Sequence, residues 1–367
     1  MIAKLLTNRV RRTYLGGGRI DAFCGVSGRA ASTMPPYPGH DGGFVETALP
    51  EMPRPEDWIA STVQAFNGTD EIDGEGLGRI EDGRLVKDVV GALPILVKLL
   101  DSDERLVIQA HPTVPCAKRL FNSSVGKTEC WYFLPGTSPD ACVYLGFKPG
   151  VTRTAWEQAV LDFSHKSTRS TCSTRLNNPL LEMLHRIPVA PGDFVFVDGG
   201  VPHAIGAGCF MVELQEPSDL MVVAERFTPS GRRIPDAKMH GGVGWEKMFD
   251  VYEYEGLDYE EVCRRYVRRG NVELWNCGNM ELWKYENESG DDTNVTQICG
   301  PELTDKFGMW RVMGGGRVVL PRDRAVAIVT DGAGSVNGID VKKGERLLVC
   351  GENSVEAQGN AALVVCA

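Results

Sequence analysis

LVIQAHP, residues 106–112, is the stretch that decides how the fold is interpreted. Apolar side chains at positions 106 and 108 alternate with positions that face outward or toward a site, so residues 106–111 are predicted to form a β-strand. Residues two apart on a strand project from the same face, which places Gln109 and His111 side by side. Two potential metal ligands therefore share one face of this strand.

Two further candidate ligands lie elsewhere in the chain. Glu129 ends the segment GKTE and directly precedes the apolar, strand-like run CWYFL. His203 follows a Pro-Gly-Asp turn and the apolar strand FVFV, residues 194–197. An amide oxygen, two imidazoles and a carboxylate suit zinc or another divalent first-row ion, whereas structural zinc sites more often use thiolates. The sequence thus predicts a catalytic metal centre with room for water or substrate.

The glycines around His203 fit the cupin pattern, in which a Gly opens a strand and Gly-x-x-His closes it. Gly192 and Gly200 occupy these positions, while Asp198 stands where the pattern has Pro. From about residue 14 to about residue 250 the chain resembles type I phosphomannose isomerase, a zinc-dependent cupin enzyme. The matching motifs, in order, are GGGRI, PEDWIAS, PILVK, QAHP, GKTECWY, PGD followed by GVPHAIG, and ELQEPSD.

The resemblance implies a metal, a reaction and a substrate. Carried over by position, it makes Gln109, His111, Glu129 and His203 the ligands of one Zn²⁺ per chain. It also implies interconversion of mannose 6-phosphate and fructose 6-phosphate. In such a reaction a divalent ion stabilises the enediolate that forms as a proton moves between C1 and C2.

The resemblance also suggests catalytic and substrate-binding residues. Glu213 and Asp219 belong to an acidic segment beside the site and are candidates for the base. Lys127 precedes Glu129 by two residues, so on an extended segment it points the same way, toward phosphate or the developing oxyanion. Lys98 lies in the apolar run PILVKLL and is a second phosphate candidate, because a buried Lys requires an anionic partner.

Two positions depart from the family. Val223 stands four residues after Asp219, where the family has an Arg that faces the substrate. Val107 stands two residues before Gln109, where the family commonly has a Ser that contacts phosphate. Arg226 is the predicted substitute for the missing cation, and Arg232 and Arg233 are further candidates.

Three functions remain open at this point. The first is an aldose-ketose isomerase acting on mannose 6-phosphate. The second is a metal-binding cupin with an altered substrate or lost catalysis, motivated by Val107 and Val223. The third is an iron or manganese cupin oxidoreductase, against which the Gln in the ligand set weighs.

Composition limits the class of protein. The chain has 367 residues, of which 43% are hydrophobic and 24% charged, and a net charge of -10. The acidic balance argues against a nucleic-acid partner. The sequence contains no apolar run long enough for a membrane helix and no signal-peptide core. Eleven scattered Cys residues indicate free thiols in a reducing compartment, so we expect a cytoplasmic protein, monomeric or dimeric, with a small sugar phosphate as its partner.

The predicted fold is mainly β: a bicupin of two jelly-roll-type barrels with a short helical insertion. The metal-binding cupin is predicted to comprise residues 1–150 and 188–268, and the helical insertion residues 151–187. A degenerate second cupin is predicted over residues 269–367, and no metal is expected there because no His follows His240.

Local patterns give more detailed predictions. Residues 152–161 and 180–187 have helical spacing. The glycine cluster at residues 74–78 lacks the strand that precedes a dinucleotide-binding loop, so a turn or a helix start is expected there.

Overall fold

The computed structural model describes residues 1–26, 53–67, 72–166, 178–270 and 294–367. Within these ranges the strands pair antiparallel in four sheets, and short helices connect them. None of the described helices is both long enough and apolar enough to cross a membrane.

The strands before residue 271 mostly surround the predicted metal centre. They are β1 (Ile2–Lys4), β2 (Arg9–Val10), β3 (Glu56–Ile59), β4 (Leu96–Ser102), β5 (Gln109–Ala110), β6 (Glu129–Phe133), β7 (Cys142–Phe147), β8 (Leu184–Pro188), β9 (Phe194–Val197), β10 (His203–Ile205), β11 (Cys209–Gln215), β12 (Val222–Val223) and β13 (Val267–Arg268). One sheet has the order β13-β9-β6-β11-β4-β3-β2 and the other the order β12-β5-β10-β7-β8. Their apolar faces share one core, which includes Trp131, Phe133 and Leu145.

The strands after residue 293 form the second pair of sheets. They are β14 (Val295–Cys299), β15 (Met309–Val312), β16 (Arg317–Val319), β17 (Arg324–Asp331), β18 (Ala333–Val336), β19 (Ile339–Lys342), β20 (Arg346–Cys350), β21 (Ser354–Gly359) and β22 (Ala362–Cys366). The sheet orders are β1-β20-β17-β22-β15-β14 and β16-β21-β18-β19, with a separate apolar core between them. Two pairs of antiparallel sheets confirm the prediction of a mainly β fold with two barrels.

The two barrels are not independent along the chain. β1 pairs with β20, so the first residues of the chain belong to the C-terminal sheet rather than to the N-terminal barrel. Cys130 of β6 and Cys299 of β14 lie in the same buried cluster, which makes the core continuous between the barrels. The predicted boundary at residue 269 stays a prediction, and residues 271–293 lie outside the described ranges.

The helices are short and lie between the strands. They are α1 (Gly18–Phe23), α2 (Val86–Val90), α3 (Val114–Phe121), α4 (Arg153–Lys166), α5 (Pro179–Glu182), α6 (Asp236–Met239), α7 (Trp245–Met248), a 3-10 helix (Phe249–Val251) and α8 (Tyr259–Tyr266). The helix predicted over residues 152–161 is confirmed by α4, and residues 74–78 form a turn as expected.

The helix predicted over residues 180–187 is wrong in its second half. Asn178 caps α5 by accepting a hydrogen bond from the amide of Leu180, and Pro179 suits the first turn. The helix nevertheless ends at Glu182, and residues 184–188 pair with β7 as a strand. The pairing buries Leu184 and Ile187 fully, which decides the local conformation in favour of the sheet.

The strand predicted over residues 106–111 is shorter than expected, since only Gln109–Ala110 forms a ladder. The stretch is nevertheless held between two neighbours. The amide of Leu106 donates to the carbonyl of Ile205, and the amide of Ala224 donates to the carbonyl of Ile108, each at 2.8 Å.

The central strand β11 positions charged side chains inside the N-terminal barrel. It lies between β4 and β6, and all seven of its residues are buried. A strand covered on both faces is expected to be apolar throughout. Glu213 is an exception, and it lies directly opposite Lys98 of β4. A buried pair of opposite charges on neighbouring central strands indicates a functional site.

Candidate metal centre and active site

Three strand ends bring His111, Glu129 and His203 together. His111 follows β5, Glu129 begins β6 and His203 begins β10. The Nε2 atom of His111 lies 3.2 Å from Glu129 Oε2, and the Nε2 atom of His203 lies 3.4 Å from Glu129 Oε1. All three side chains are buried, and among the described residues this is the one group of at least three His, Cys, Asp or Glu residues that meets the geometry of a metal site.

Backbone carbonyls orient both imidazoles. His111 Nδ1 lies 2.9 Å from the carbonyl oxygen of Leu220, and His203 Nδ1 lies 2.9 Å from that of Val201. A carbonyl oxygen only accepts, so each Nδ1 carries the proton and each Nε2 turns an unprotonated lone pair toward Glu129. His203 Nε2 is buried and has no hydrogen-bond partner in the described structure. A metal ion would satisfy this atom.

Burial and one nearby charge together keep the ligand set in the protonation states that metals require. Burial lowers the pKa of His203 to about 3 and lowers the pKa of His111 as well. Burial would raise the pKa of Glu129, but the charge of Lys127 holds that pKa well below its usual value. Two neutral imidazoles and one carboxylate fit a divalent cation.

Gln109 is built into the same sheet as the triad. It is the direct partner of His203 in the β5–β10 ladder and of Val223 in the β5–β12 ladder. Its side chain is buried and lines the cavity next to the triad. Its role as a fourth ligand stays a prediction.

The loop before Glu129 places the ammonium group of Lys127 beside His111 and Glu129. Lys127 Nζ lies 2.6 Å from His111 Nε2 and 2.5 Å from Glu129 Oε2. Lys127 and Glu129 therefore point the same way, as their two-residue spacing predicts. The loop approaches the backbone closely at Gly126, where a Cβ atom would lie 2.7 Å from the carbonyl oxygen of Pro112.

A cavity opens beside the triad, and Lys127, which contacts His111 and Glu129, forms part of its lining. The lining contains both charged and apolar side chains. Its charged lining consists of Arg12, Glu56, Lys98, Lys127, Glu213, Asp219 and Lys238. A small number of converging charges in a concave site is what the binding of a polar small molecule requires.

Glu213 is the carboxyl group in this cavity whose pKa is shifted toward neutrality. Burial raises its pKa to about 7, although the charges of Lys98 and Lys127 oppose the shift. Its Oε1 atom lies 3.3 Å from Lys98 Nζ and 3.9 Å from Lys127 Nζ. A carboxyl group that titrates near neutral pH can both take up and release a proton during turnover.

Sequence reasoning missed Arg12, which lies at the other side of the cavity. Its Nη2 atom lies 3.1 Å from both carboxylate oxygens of Asp219, and its Nε donates to Glu56 Oε2 at 3.0 Å. Asp219 Oδ2 also accepts from the amide of Phe66 at 2.9 Å. The available signal was the basic run RVRR immediately before the glycine motif at residue 16.

Glu56 was also missed, although it connects the charged groups. It accepts hydrogen bonds from Tyr14 Oη and Trp58 Nε1, each at 2.7 Å. Burial would raise its pKa, but Arg12 and Lys98 lower it to about 2. A permanently charged Glu56 thus compensates the two buried cations beside it.

Known proteins resemble this chain in part of its sequence and in its fold. No protein-family model matches the chain. Over 127 residues it is 35% identical to the probable mannose-6-phosphate isomerase GmuF of Bacillus subtilis strain 168, which covers 34% of this chain and 35% of that protein. Over 128 residues it is 33% identical to mannose-6-phosphate isomerase ManA of the same organism, with shares of 34% and 35%. The matched segment spans about a third of these curated relatives.

Solved structures match over the full length. The crystal structure of the mannose 6-phosphate isomerase from Bacillus subtilis covers 100% of this chain and 99% of its own, with a TM-score of 0.63 at 17% identity. A mannose 6-phosphate isomerase bound with zinc and yttrium covers 100% and 98%, with a TM-score of 0.63 at 12% identity. The chain has the phosphomannose isomerase fold. At these identities the similarity to solved structures establishes the fold alone.

Within the phosphomannose isomerase fold, Arg226 lies away from the charged cavity lining. It forms an ion pair with Asp236 and lies over the ring of Trp245, 5.8 Å from its centroid. Arg233 also contacts Asp236, at 3.5 Å. Lys238, from the same part of the chain as Arg226, does line the cavity. Arg12 lines it from the N-terminal part of the chain.

The two valines that depart from the family lie together. Val107 and Val223 pack with Ile234 and Met239 in one buried cluster. Val107, Val223 and Ile234 also line the cavity, where they form an apolar wall.

Proposed function

We propose that the protein is a zinc-dependent aldose-ketose isomerase that interconverts mannose 6-phosphate and fructose 6-phosphate. The observation that carries the proposal is the unpartnered Nε2 atom of His203, which faces Glu129 and His111 beside the near-neutral Glu213. The names of the curated relatives and solved structures described above support the same reaction.

The metal would be held by Gln109, His111, Glu129 and His203. When bound, zinc supplies a positive charge that polarises the sugar oxygens and stabilises the charge that develops on them. The carbonyls of Leu220 and Val201 fix the two imidazole rings in advance, so their lone pairs need no reorientation when the site is filled.

Glu213 is the proposed proton carrier. As a carboxylate it removes the proton from C2 of the aldose, and as a carboxylic acid it returns the proton to C1, while the hydroxyl proton of O2 passes to O1, which gives the ketose. Lys98 and Lys127 flank its Oε1 atom, and their positive charges stabilise the carboxylate that starts the cycle. Lys127 also stabilises the negative oxygen of the enediolate between the two proton transfers.

Asp219 is assigned to positioning rather than to proton transfer. Both of its oxygens bind Arg12 Nη2, and one of them also accepts the amide of Phe66. Both oxygens are therefore already engaged in charge-assisted hydrogen bonds, which suits a positioning role.

Arg12, Lys98 and Lys238 supply positive charge for the phosphate of the substrate. All three are buried cations on the cavity wall. This assignment replaces Arg226 with Arg12 and Lys238 as phosphate contacts, because Arg226 is paired outside the lining. A cytoplasmic location, the absence of nucleic-acid partners and a monomeric or dimeric state stay predictions.

One observation favours a second function, a metal-binding cupin with a changed substrate. The side chains of Val107 and Val223 offer a sugar no hydrogen bond where the family has polar side chains. The predicted amide ligand Gln109 weighs against an iron or manganese oxidoreductase, because the open iron sites of oxygenases use two imidazoles and one carboxylate alone.

A coupled assay tests the proposal. Formation of fructose 6-phosphate from mannose 6-phosphate is measured on protein of known zinc content, with His111→Ala as the matched variant. Turnover that follows zinc content and disappears in the variant supports the isomerase. Stoichiometric zinc without turnover would overturn it and favour the metal-binding cupin with a changed substrate.

A further inference from the structure

We infer that Lys306, a residue of the C-terminal barrel, is a positioning residue for the segment 126–129 that carries Lys127 and Glu129. The inference rests on the proposed function for its effect on turnover, but its structural part does not depend on it. It gives the C-terminal barrel a role in the metal centre of the N-terminal barrel.

Lys306 crosses from one barrel to the other through two contacts. Its Nζ atom lies 2.5 Å from Thr128 Oγ1 and 2.9 Å from Glu216 Oε2. Thr128 lies between Lys127 and Glu129 in the chain, and Glu216 directly follows β11. Lys306 thus contacts the metal-bearing segment at its middle residue.

Glu216 holds the same segment by its backbone. Its Oε2 atom accepts from the amide of Thr128 at 2.9 Å, and its Oε1 atom accepts from the amide of Gly126 at 3.3 Å. Its own amide donates to the carbonyl of Thr128 at 3.0 Å. Lys127 is therefore held on both sides by one carboxylate.

The charge of Glu216 is what makes Lys306 important. The side chain of Glu216 is only 8% exposed, and Lys306 is its ion-pair partner, with a side chain that is 31% exposed. A buried carboxylate without a cation would be unfavourable, so loss of Lys306 weakens the hold of Glu216 on both amides.

Lys306 is itself fixed within the C-terminal half. Its carbonyl oxygen accepts from Arg322 Nη1 at 2.8 Å, and its amide donates to Thr304 Oγ1 at 3.2 Å. The backbone of Lys306, from which its side chain reaches Thr128 and Glu216, is therefore fixed by hydrogen bonds. An ordinary surface pair, with two mobile exposed side chains, would transmit no such constraint.

The first measurement is amide hydrogen exchange of residues 126–129 in the full-length protein. Lys306→Met removes the charge and keeps the apolar stem, Lys306→Arg restores the charge, and Thr128→Val removes only the hydroxyl. Lys343→Met is the matched control, because Lys343 belongs to the same barrel and pairs with Asp331 at the surface. We expect faster exchange at Gly126 and Thr128 in Lys306→Met, near-normal exchange in Lys306→Arg, and no change in Lys343→Met.

The second measurement is loss of zinc to an excess of chelator, followed for the same variants. We expect Lys306→Met to lose zinc to the chelator faster than wild type, by up to the roughly 10- to 100-fold that loss of a residue supporting a metal ligand costs in metal affinity. Its kcat should fall while its KM for mannose 6-phosphate stays near that of wild type. Lys306→Arg should recover most of both losses.

Each outcome decides the inference. Wild-type exchange and wild-type zinc release in Lys306→Met would overturn it, as would equal effects in Lys343→Met. If Lys306→Met does not fold, Thr128→Val decides by the same two measurements. Neither measurement needs turnover, so an inactive wild-type protein would contradict the proposed function and leave this test intact.

Discussion

Lys98 and Glu213 are direct partners in the β4–β11 ladder, with Lys98 Nζ 3.3 Å from Glu213 Oε1. Both side chains are buried, so each serves as the counter-charge of the other. Burial would lower the pKa of Lys98, but the charges of Glu213 and Glu56 raise it. Burial still raises the pKa of Glu213 to about 7. Lys98 therefore remains charged while Glu213 titrates.

The pH dependence of turnover follows from this pair. Only the carboxylate form of Glu213 can remove a proton, and this form becomes dominant above pH 7. We expect kcat/KM for mannose 6-phosphate to be about tenfold lower at pH 6 than on its plateau, since one unit below a pKa leaves about a tenth of the group ionised. Glu213→Gln should lose at least about 100-fold in kcat. A rate that stays constant from pH 6 to pH 8 would show that another group carries the proton.

Removal of one imidazole should abolish metal binding without unfolding the barrel. His203→Ala deletes a proposed ligand whose Nε2 atom has no hydrogen-bond partner in the described structure. Zinc retained after gel filtration, measured by elemental analysis, should fall from one equivalent per chain to nearly none. His185→Gln is the control, because His185 is also buried but bonds to the carbonyl of Leu257, away from the triad. Equal zinc in His203→Ala and wild type would contradict the assignment.

Arg12 should contribute strongly to stability as well as to the site. Arg12→Met leaves Glu56 and Asp219 as buried carboxylates that have lost their shared cation. Removal of one partner from a buried ion pair typically costs about 3–5 kcal/mol, which is measurable as a lower urea midpoint. Arg153→Met is the control: its ion pairs are exposed, and its cost should be below about 1 kcal/mol. Similar costs for the two variants would mean that Arg12 is not effectively buried.

A single hydroxyl added to the apolar wall should strengthen the binding of mannose 6-phosphate. Val107→Ser restores the residue type expected from the family at a position that lines the cavity. One added hydrogen bond is worth about 0.5–1.5 kcal/mol, so KM for mannose 6-phosphate should fall about 2- to 10-fold with little change in kcat. Val107→Ala removes the same methyl groups without adding the hydroxyl and should not lower KM. If both variants behave alike, phosphate does not bind beside residue 107.

The central triad was predicted from the resemblance of its motifs to phosphomannose isomerase, and local patterns in the sequence support parts of it. Alternation placed Gln109 beside His111, and the two-residue spacing placed Lys127 beside Glu129. The positions of Glu129 and His203 at strand starts were also visible as apolar runs that begin or precede them. The folded structure retains these short-range relationships because each depends only on the two-residue repeat of an extended chain.

The charged wall could not be predicted in the same way. Arg12 reaches Asp219 across more than 200 residues of sequence, through the pairing of β2 with β3 and of β3 with β4. No periodic pattern in the sequence indicates a contact between residues so far apart. Arg226, which is near Val223 in sequence, instead pairs with Asp236 across a turn. Proximity along the chain therefore does not bring Arg226 into the cavity lining, its role in substrate binding stays a prediction, and only the sheet order reveals Arg12.

The most direct test of the central claim is a zinc titration of metal-free protein, in which fructose 6-phosphate formation from mannose 6-phosphate is measured after each addition. Activity should rise linearly, stop at one equivalent of zinc per chain, and be absent from His203→Ala at every zinc concentration. Full activity in the metal-free protein, or none at one equivalent, would contradict a catalytic zinc held by His111, Glu129 and His203.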